Sequence, residues 1–306
     1  MIVLCPLCGS SETVELSRLL TDELLLLWEK CSDIVLDEEL KGYDTLEFRK
    51  CPTCDVRFFN PLISGSNDFY GKLQEKLSYF ADDKYEFARA AALISESDSV
   101  LEIGAGKGVF PTRLATKTYT GLEFSSQAVN MARERGVDLR RESVEEHAAS
   151  NAGRYDVVCS FQVLEHVSNP RSFLESATSC LKPGGRLMIS VPGNDGFLDS
   201  AVNASMNLPP HHVSRWSDEC LRRLQPRLGL TLDLLLIEPL ADEHASWYLQ
   251  TLLVRLLWPQ SALVRMDPIF WMIFQVFGAV ALKLGPRFPP NMRPRGHTVL
   301  AVYRKT

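Results

Sequence analysis

Two rhythms of apolar and polar positions run along this chain. From residue 98 onward, short apolar runs alternate with stretches whose apolar residues recur at helical spacing. "SVLEIGAG" reads as a strand and "VFPTRLATK" as a helix. "YTGLEFS" is a strand, "SQAVNMARERG" a helix, and "VDLRRES" and "YDVVCSFQVL" are strands. "NPRSFLESATSCLKPGG" reads as a helix closed by its Gly-Gly pair, and "RLMISVP" as the next strand. "LTLDLLLIEP" and "TVLAVYR" complete seven strands. Such alternation predicts an α/β fold with a doubly wound parallel sheet, whose ligands bind beyond the carboxyl ends of the strands. Two more helices are expected upstream, at "ELLLLWEKC" and "DDKYEFARAAALI". Near the second, Tyr79, Phe80, Tyr85 and Phe87 are aromatic candidates for core or for covering a ligand.

Composition adds a polarity to this picture. The chain has 306 residues, 45% of them hydrophobic, and a net charge of −5. Residues 1–66 carry 6 basic against 12 acidic side chains, whereas 240–306 carry 8 against 3. The overall balance gives no general attraction to nucleic acid. The acidic front and the basic, apolar back point to segments with different tasks.

The front holds two similar cysteine pairs, Cys5 and Cys8 in "CPLCGS" and Cys51 and Cys54 in "RKCPTCDVRFFNP". Two such knuckles can offer four thiolates to one tetrahedral Zn²⁺, a closed set that favours a structural ion. A redox CxxC and accidental spacing are the competing readings. Metal in a reducing compartment, together with a start that lacks a basic signal-peptide region, leads to an expected cytoplasmic location. Zinc ribbons often bind nucleic acid, but this one is acidic, so protein or substrate docking or scaffolding is expected instead.

"VLEIGAGKG", residues 100–108, turns a strand sharply with Gly104, Gly106 and Gly108. A phosphate loop needs GxxxxGK followed by Ser or Thr, but Lys107 is followed by Gly108 and Leu101 stands where the first glycine belongs. The dinucleotide fingerprint GxGxxG fails in both registers, at Val109 and at Pro111. What remains lets backbone approach a ligand closely without cradling a pyrophosphate.

With "GLEFS" and "YDVVCSFQVLEHVSNPRSFLESATSCLKPGGRLMISVP", this motif resembles the class I S-adenosylmethionine-dependent methyltransferases over roughly residues 80–239 and 297–304. The resemblance implies a Rossmann-like sheet of seven strands, the last antiparallel. It implies that Glu123, ending strand two, accepts both ribose hydroxyls of S-adenosylmethionine. Gly104 and Gly106 would lie near the methionyl part, and Glu102 would organise the loop or reach the ligand's amino group through water. Phe124 would pack on adenine. Ser143 and Val144 occupy the place where the family reads the adenine edge, although Asp is common where Ser143 stands. Phe161 and Gln162 would lie beside the sulfonium. Glu165 and His166 match the family's LEH signature, in a structural or a catalytic role.

"HHVSRWS" resembles the stretch that precedes the helix before strand six in related methyltransferases. His211 and His212 would then stand at the mouth of the site, with His212 favoured as a base for an acceptor hydroxyl. The competing reading has one histidine anchoring the loop while Ser217 caps the helix.

Residues 240–295 depart from the family, where strands six and seven are commonly joined by a short hairpin. Between Asp267 and Lys283 lie 15 uncharged residues, short of the ~20 that span a bilayer. The segment is expected to be a helical insertion serving as an acceptor cap, a homodimer element or a contact with the inner membrane face. The domain expectation is therefore a zinc-binding module at 1–68, a methyltransferase domain at 69–239 and 296–306, and this insertion. A double-CxxC module ahead of such a domain resembles bacterial sugar and polysaccharide methyltransferases, including deoxysugar C-methyltransferases. This chain lacks the large C-terminal domain of the latter. O-methylation of a sugar, glycan or small metabolite is the leading expectation. An RNA methyltransferase and a non-catalytic S-adenosylmethionine-binding subunit are the alternatives.

Overall fold

A computed structural model describes residues 2–36, 38–76, 83–259, 262–285 and 288–306. Tyr79 and Phe80 lie outside the described residues. The chain opens with β1 (Val14–Leu20), α1 (Thr21–Ser32), β2 (Thr45–Lys50) and β3 (Arg57–Asn60). Then come α2 (Asn67–Lys76) and α3 (Tyr85–Ala91), followed by β4 (Val100–Ile103), β5 (Tyr119–Leu122), α4 (Ser126–Glu134), β6 (Leu139–Arg140) and α5 (Val144–Asn151). The central stretch continues with β7 (Tyr155–Phe161), α6 (Pro170–Ser179), β8 (Leu181–Pro192), β9 (Ser214–Arg215), α7 (Asp218–Arg223) and α8 (Gln225–Leu228). The chain ends with β10 (Leu230–Pro239), α9 (Ala245–Leu257), α10 (Pro268–Leu284) and β11 (Arg295–Lys305).

Seven strands form one sheet in the order β10-β11-β8-β7-β4-β5-β6. β4, β5, β6, β7 and β8 run parallel, while β11 is antiparallel to both β8 and β10. The chain therefore reverses its direction of winding between β4 and β7, and the carboxyl ends there open a crevice. The strands' apolar residues are covered on both faces: Leu101, Val158, Leu187 and Ala301 pack in one cluster, Val100, Val157, Met188 and Leu300 in another.

Two local expectations differ from the structure. "VFPTRLATK" forms only a 3-10 turn, Phe110–Arg113. Its threonines are committed elsewhere: Thr112 Oγ1 donates to Val109 O at 2.7 Å and Thr116 Oγ1 to Asp98 O at 2.7 Å, bonds that compete with a helix. The Gly-Gly pair does not close α6, which ends at Ser179; Gly184 and Gly185 lie in the irregular start of β8. There Tyr155 pairs with Leu181 but Val157 with Arg186, so the intervening residues bulge out.

The N-terminal strands build a second sheet, β1-β2-β3-β9. Its fourth strand comes from residues 214–215, so the cysteine-bearing segment is sewn to the loop after β8. Phe59 N–H donates to Val213 O at 3.0 Å and Gly65 N–H to Pro210 O at 2.8 Å. The buried Trp28 gives its indole N–H to Pro209 O at 2.8 Å.

The 240–295 segment is helical as expected. Asp267 caps α10 by accepting from Phe270 N at 3.0 Å, and Gly285 ends it in the left-handed region. Val254 and Phe270 pack on Val202, and Ala245 packs on Phe197 and Leu198. The outer face is apolar: Leu256, Ile269, Met272, Leu282 and Leu284 are exposed. Among the described residues, no helix is long and apolar enough to cross a membrane.

Candidate functional site

The crevice at the switch between β4 and β7 is a cleft of about 920 Å³, near the upper end of the ~300–1,000 Å³ usual for ligand sites. Glu102, Gly104, Gly106, Glu123, Phe124, Ser143, Val144, Phe161, Gln162, His166, His211 and His212 all line it. The sequence separates these residues by more than a hundred positions, and the parallel strands bring their carboxyl ends to one edge.

The floor is the turn after β4. Gly104 has φ 75° and Gly106 φ 54°. A Cβ at Gly104 would overlap Val163 Cγ2, so a side chain is excluded on both conformational and steric grounds. Glu123 leaves the end of β5 and holds this turn. Its Oε2 accepts from Gly106 N at 2.8 Å and its Oε1 from Ser125 N at 2.8 Å. Each carboxylate oxygen keeps a further lone-pair site, enough for two vicinal hydroxyls.

Glu102, one strand over, is fully buried, and Tyr119 Oη donates to its Oε2 at 2.6 Å. Burial pushes its carboxyl up to about 8, so it stays largely protonated at neutral pH. Phe124 is 61% exposed at the rim of the cleft. Ser143 begins α5 in a capping box: its Oγ accepts from Glu146 N at 3.0 Å, and its own N–H donates to Glu146 Oε2 at 2.7 Å. Its hydroxyl oxygen thereby serves the helix, and its O–H can still donate. Phe161 is buried against Phe87 and Phe110. Gln162 stands in the left-handed region at φ 57°, and its amide donates to Glu86 Oε1 and to Ser190 Oγ, both at 3.4 Å.

At the other end, three imidazoles meet. Ring centroids of His166 and His211 are 4.4 Å apart, those of His166 and His212 4.9 Å, and those of His211 and His212 4.5 Å. Nδ1 of His166 faces His211 O at 2.6 Å, and Nδ1 of His212 faces Asn207 Oδ1 at 3.1 Å. Burial holds His166 down at about 4 and His211 and His212 well below the usual range, so all three are neutral at pH 7. Glu165 is buried beneath them, its carboxyl also raised to about 8 by burial. Ser217 caps α7, accepting from Cys220 N at 3.0 Å.

Three further wall residues gave no signal in the sequence. Tyr70 of α2 packs edge-on against His166 at 6.0 Å. Lys84 precedes α3, and His297 lies on β11. Each is isolated in the chain and reaches the cleft only through folding. By contrast, no described residue of 240–295 lines the cleft; α9 and α10 pack behind residues 197–208 instead, so any effect on an acceptor is exerted through that loop.

The four cysteines form a separate cluster. Cys5 Sγ is 3.5 Å from Cys54 Sγ and Cys8 Sγ is 3.4 Å from Cys51 Sγ, with all four sulfurs within 4.8 Å of one another. Sulfurs at ~2.3 Å around a tetrahedral ion stand slightly under 4 Å apart, so the set fits one metal with little movement. The knuckles match each other: Gly9 N donates to Cys5 O and Asp55 N to Cys51 O, both at 2.8 Å, with φ of 73° and 65°. Asp55 tolerates the left-handed region while pairing with Lys50 at 2.6 Å and accepting from Ser217 Oγ at 2.5 Å. The second of these bonds joins the knuckle to the cap of α7.

Residues 73–235, just over half of the chain, match the family described as a methyltransferase domain. Among curated proteins, the chain is similar to a ubiquinone biosynthesis O-methyltransferase of Escherichia coli O157:H7, 36% identical over 129 residues, 40% of this chain and 50% of that protein. It is also similar to the protein of that description from Cronobacter sakazakii, 37% identical over 123 residues, 38% of this chain and 47% of that one. The chain thus spans about half the length of the curated relatives it matches. Among solved structures, a SAM-dependent methyltransferase from Archaeoglobus fulgidus superposes with a TM-score of 0.49 at 17% identity, covering 78% of this chain and 100% of that one.

Proposed function

The chain belongs to the methyltransferase-domain family, and from that membership we propose that it moves a methyl group from S-adenosylmethionine to a hydroxyl of a sugar, glycan or small metabolite. The observation that carries this reading is Glu123: its two oxygens already organise the Gly106 turn and still face the cleft with capacity for two hydroxyls. Gly104 and Gly106 leave backbone exposed for a ligand's aminoacyl end. Phe124 offers adenine a face, and Val144 an apolar edge. Ser143 Oγ accepts from the helix and keeps its O–H to donate to the adenine edge.

When bound, S-adenosylmethionine supplies a methyl group already activated on a sulfonium. The chain therefore has to align an acceptor and exclude water more than to supply a strong base. Neutral His166, His211 and His212 stand at the far end of the cleft, where they hold the acceptor's oxygen and take its hydrogen bond. The O-methyltransferase names of the relatives and the buried imidazoles both favour an oxygen acceptor; the double-CxxC module favours a sugar or glycan. We further propose that Cys5, Cys8, Cys51 and Cys54 hold one structural Zn²⁺, whose task is to stiffen the module that grips residues 205–217. The apolar outer face of α9 and α10 is assigned to the surface of an anionic membrane.

Calorimetry with S-adenosylhomocysteine, followed by transfer of labelled methyl to separate pools of sugars and glycans, phenols and RNA, tests the reading. No binding would remove it. Label in RNA alone would replace the acceptor class.

A further inference from the structure

The imidazole end of the cleft contains more than a base would need. Glu165 is 1% exposed, and neither of its carboxyl oxygens has a hydrogen-bond partner. A buried carboxyl without partners is costly to keep. Its Oε1 lies 3.9 Å from His166 Nε2 and 3.9 Å from His212 Nε2. These gaps are too long for direct hydrogen bonds and of the size left when one atom sits between the groups. On the far side of each ring, Nδ1 is engaged: His166 at the His211 carbonyl and His212 at the Asn207 amide oxygen. A proton on each Nδ1 leaves each Nε2 with its lone pair turned toward Glu165. That pattern of hydrogen bonds behind the rings is the one that orients histidines for a metal. His211 brings a third ring nitrogen within 4.8 Å of those of His166 and His212.

We propose that Glu165, His166 and His212, with His211 packed beside them, bind a divalent transition metal at the acceptor end of the cleft. Two imidazoles and a carboxylate suit Zn²⁺, Mn²⁺, Fe²⁺ or Co²⁺. Metal–nitrogen distances of ~2.0–2.1 Å put neighbouring ligand atoms of a tetrahedral site a little over 3 Å apart, so the three groups close by about half an ångström on loading. The ion ionises Glu165, satisfies its buried oxygens and leaves a coordination position toward the cleft. With the ion bound, that position, rather than the ring nitrogens of His166 and His212, takes the oxygen of the acceptor. This last role rests on the methyltransferase reading; the binding of the ion does not.

Equilibrium dialysis of the zinc-loaded full chain against Co²⁺ is the test. The expected result is a second metal equivalent per chain beyond the ion of the four-cysteine cluster, with weak visible bands and no thiolate charge-transfer band. Glu165→Gln and His212→Gln should lower that uptake at least tenfold while retaining the cysteine-bound ion and wild-type affinity for S-adenosylhomocysteine, which doubles as the check on folding. Wild-type protein that takes up no second equivalent overturns the site without any variant. Uptake unchanged in both variants overturns the ligand assignment. A second equivalent with no effect on methyl transfer overturns the acceptor role, whereas failure to bind S-adenosylhomocysteine sinks the methyltransferase reading and leaves the metal site standing.

Discussion

Removal of the Glu123 carboxylate should separate cofactor binding from folding. In Glu123→Ala, Gly106 N and Ser125 N lose the acceptors they hold at 2.8 Å, and a ligand diol loses both partners. Glu123 is half-buried at the rim, so water can replace it at the two amides and the loss of stability should be small. The loss to the ligand is larger. Hydrogen bonds to a charged group contribute about 1.5–3 kcal/mol, and each ~1.4 kcal/mol is tenfold in affinity. S-adenosylhomocysteine should therefore bind roughly 10- to 150-fold more weakly. Glu123→Gln is the sharper variant. It keeps the shape, but its amide nitrogen must face one of the two backbone N–H groups, donor against donor. We expect a loss of comparable size. Titration calorimetry measures both, with a thermal melt to show that the fold is intact. Affinity within twofold of wild type for both variants would refute the assignment of Glu123 to the ligand's hydroxyls.

Four further outcomes are expected. Protein purified without chelator should contain one zinc per chain at the cysteine cluster; Cys51→Ser should lose it and melt at lower temperature, since four ligands draw together knuckles with little core of their own, and full zinc content in that variant would exclude Cys51 as a ligand. Trp28→Phe removes the indole donor from Pro209 O and should destabilise by about 1–3 kcal/mol; because Pro209 immediately precedes the histidine loop, turnover should fall while S-adenosylhomocysteine affinity, measured by calorimetry, stays within twofold. Glu102 has a folded pKa of about 8, raised by burial, above its unfolded value, so its favourable contribution is full at acid pH and erodes as pH rises from about 4.5 to 8; Glu102→Gln should gain stability relative to wild type across that window, and a pH-independent difference in melting temperature would contradict it. Replacing Leu256, Leu282 and Leu284 with serine should abolish flotation with anionic vesicles at low salt, whereas wild-type protein that does not float, or that dimerises through this face, would remove the membrane assignment.

The repeating pattern of strand and helix was legible in the sequence because each strand of a two-sided sheet must be apolar along its length and each covering helix amphipathic. The glycine turn was legible for an equally local reason: positions with φ of 75° and 54° admit few residues other than glycine. The cysteine pairs announced themselves by repeated spacing. What failed at this level failed where side chains offered the backbone an alternative. Thr112 and Thr116 draw "VFPTRLATK" into a turn, and the bulge at Gly184 and Gly185 belongs to β8 because its partner strand β7 sets the register.

Other features existed only in three dimensions. Nothing in "SR" at residues 214–215 marks a strand; it becomes one because β3 presents a free edge to it. Tyr70, Lys84 and His297 enter the cleft from three separate elements. The sequence placed His166 beside Glu165 but not beside His212, 46 positions on, because that approach depends on the N-terminal module fastening residues 205–217 over the end of β7. Local chemistry sets which residues are competent for a site, since backbone preference and amphipathic period act over a few positions. Which of them share one low-dielectric volume, and so lose their ordinary protonation, is decided by contacts between distant elements, and only the folded chain contains those.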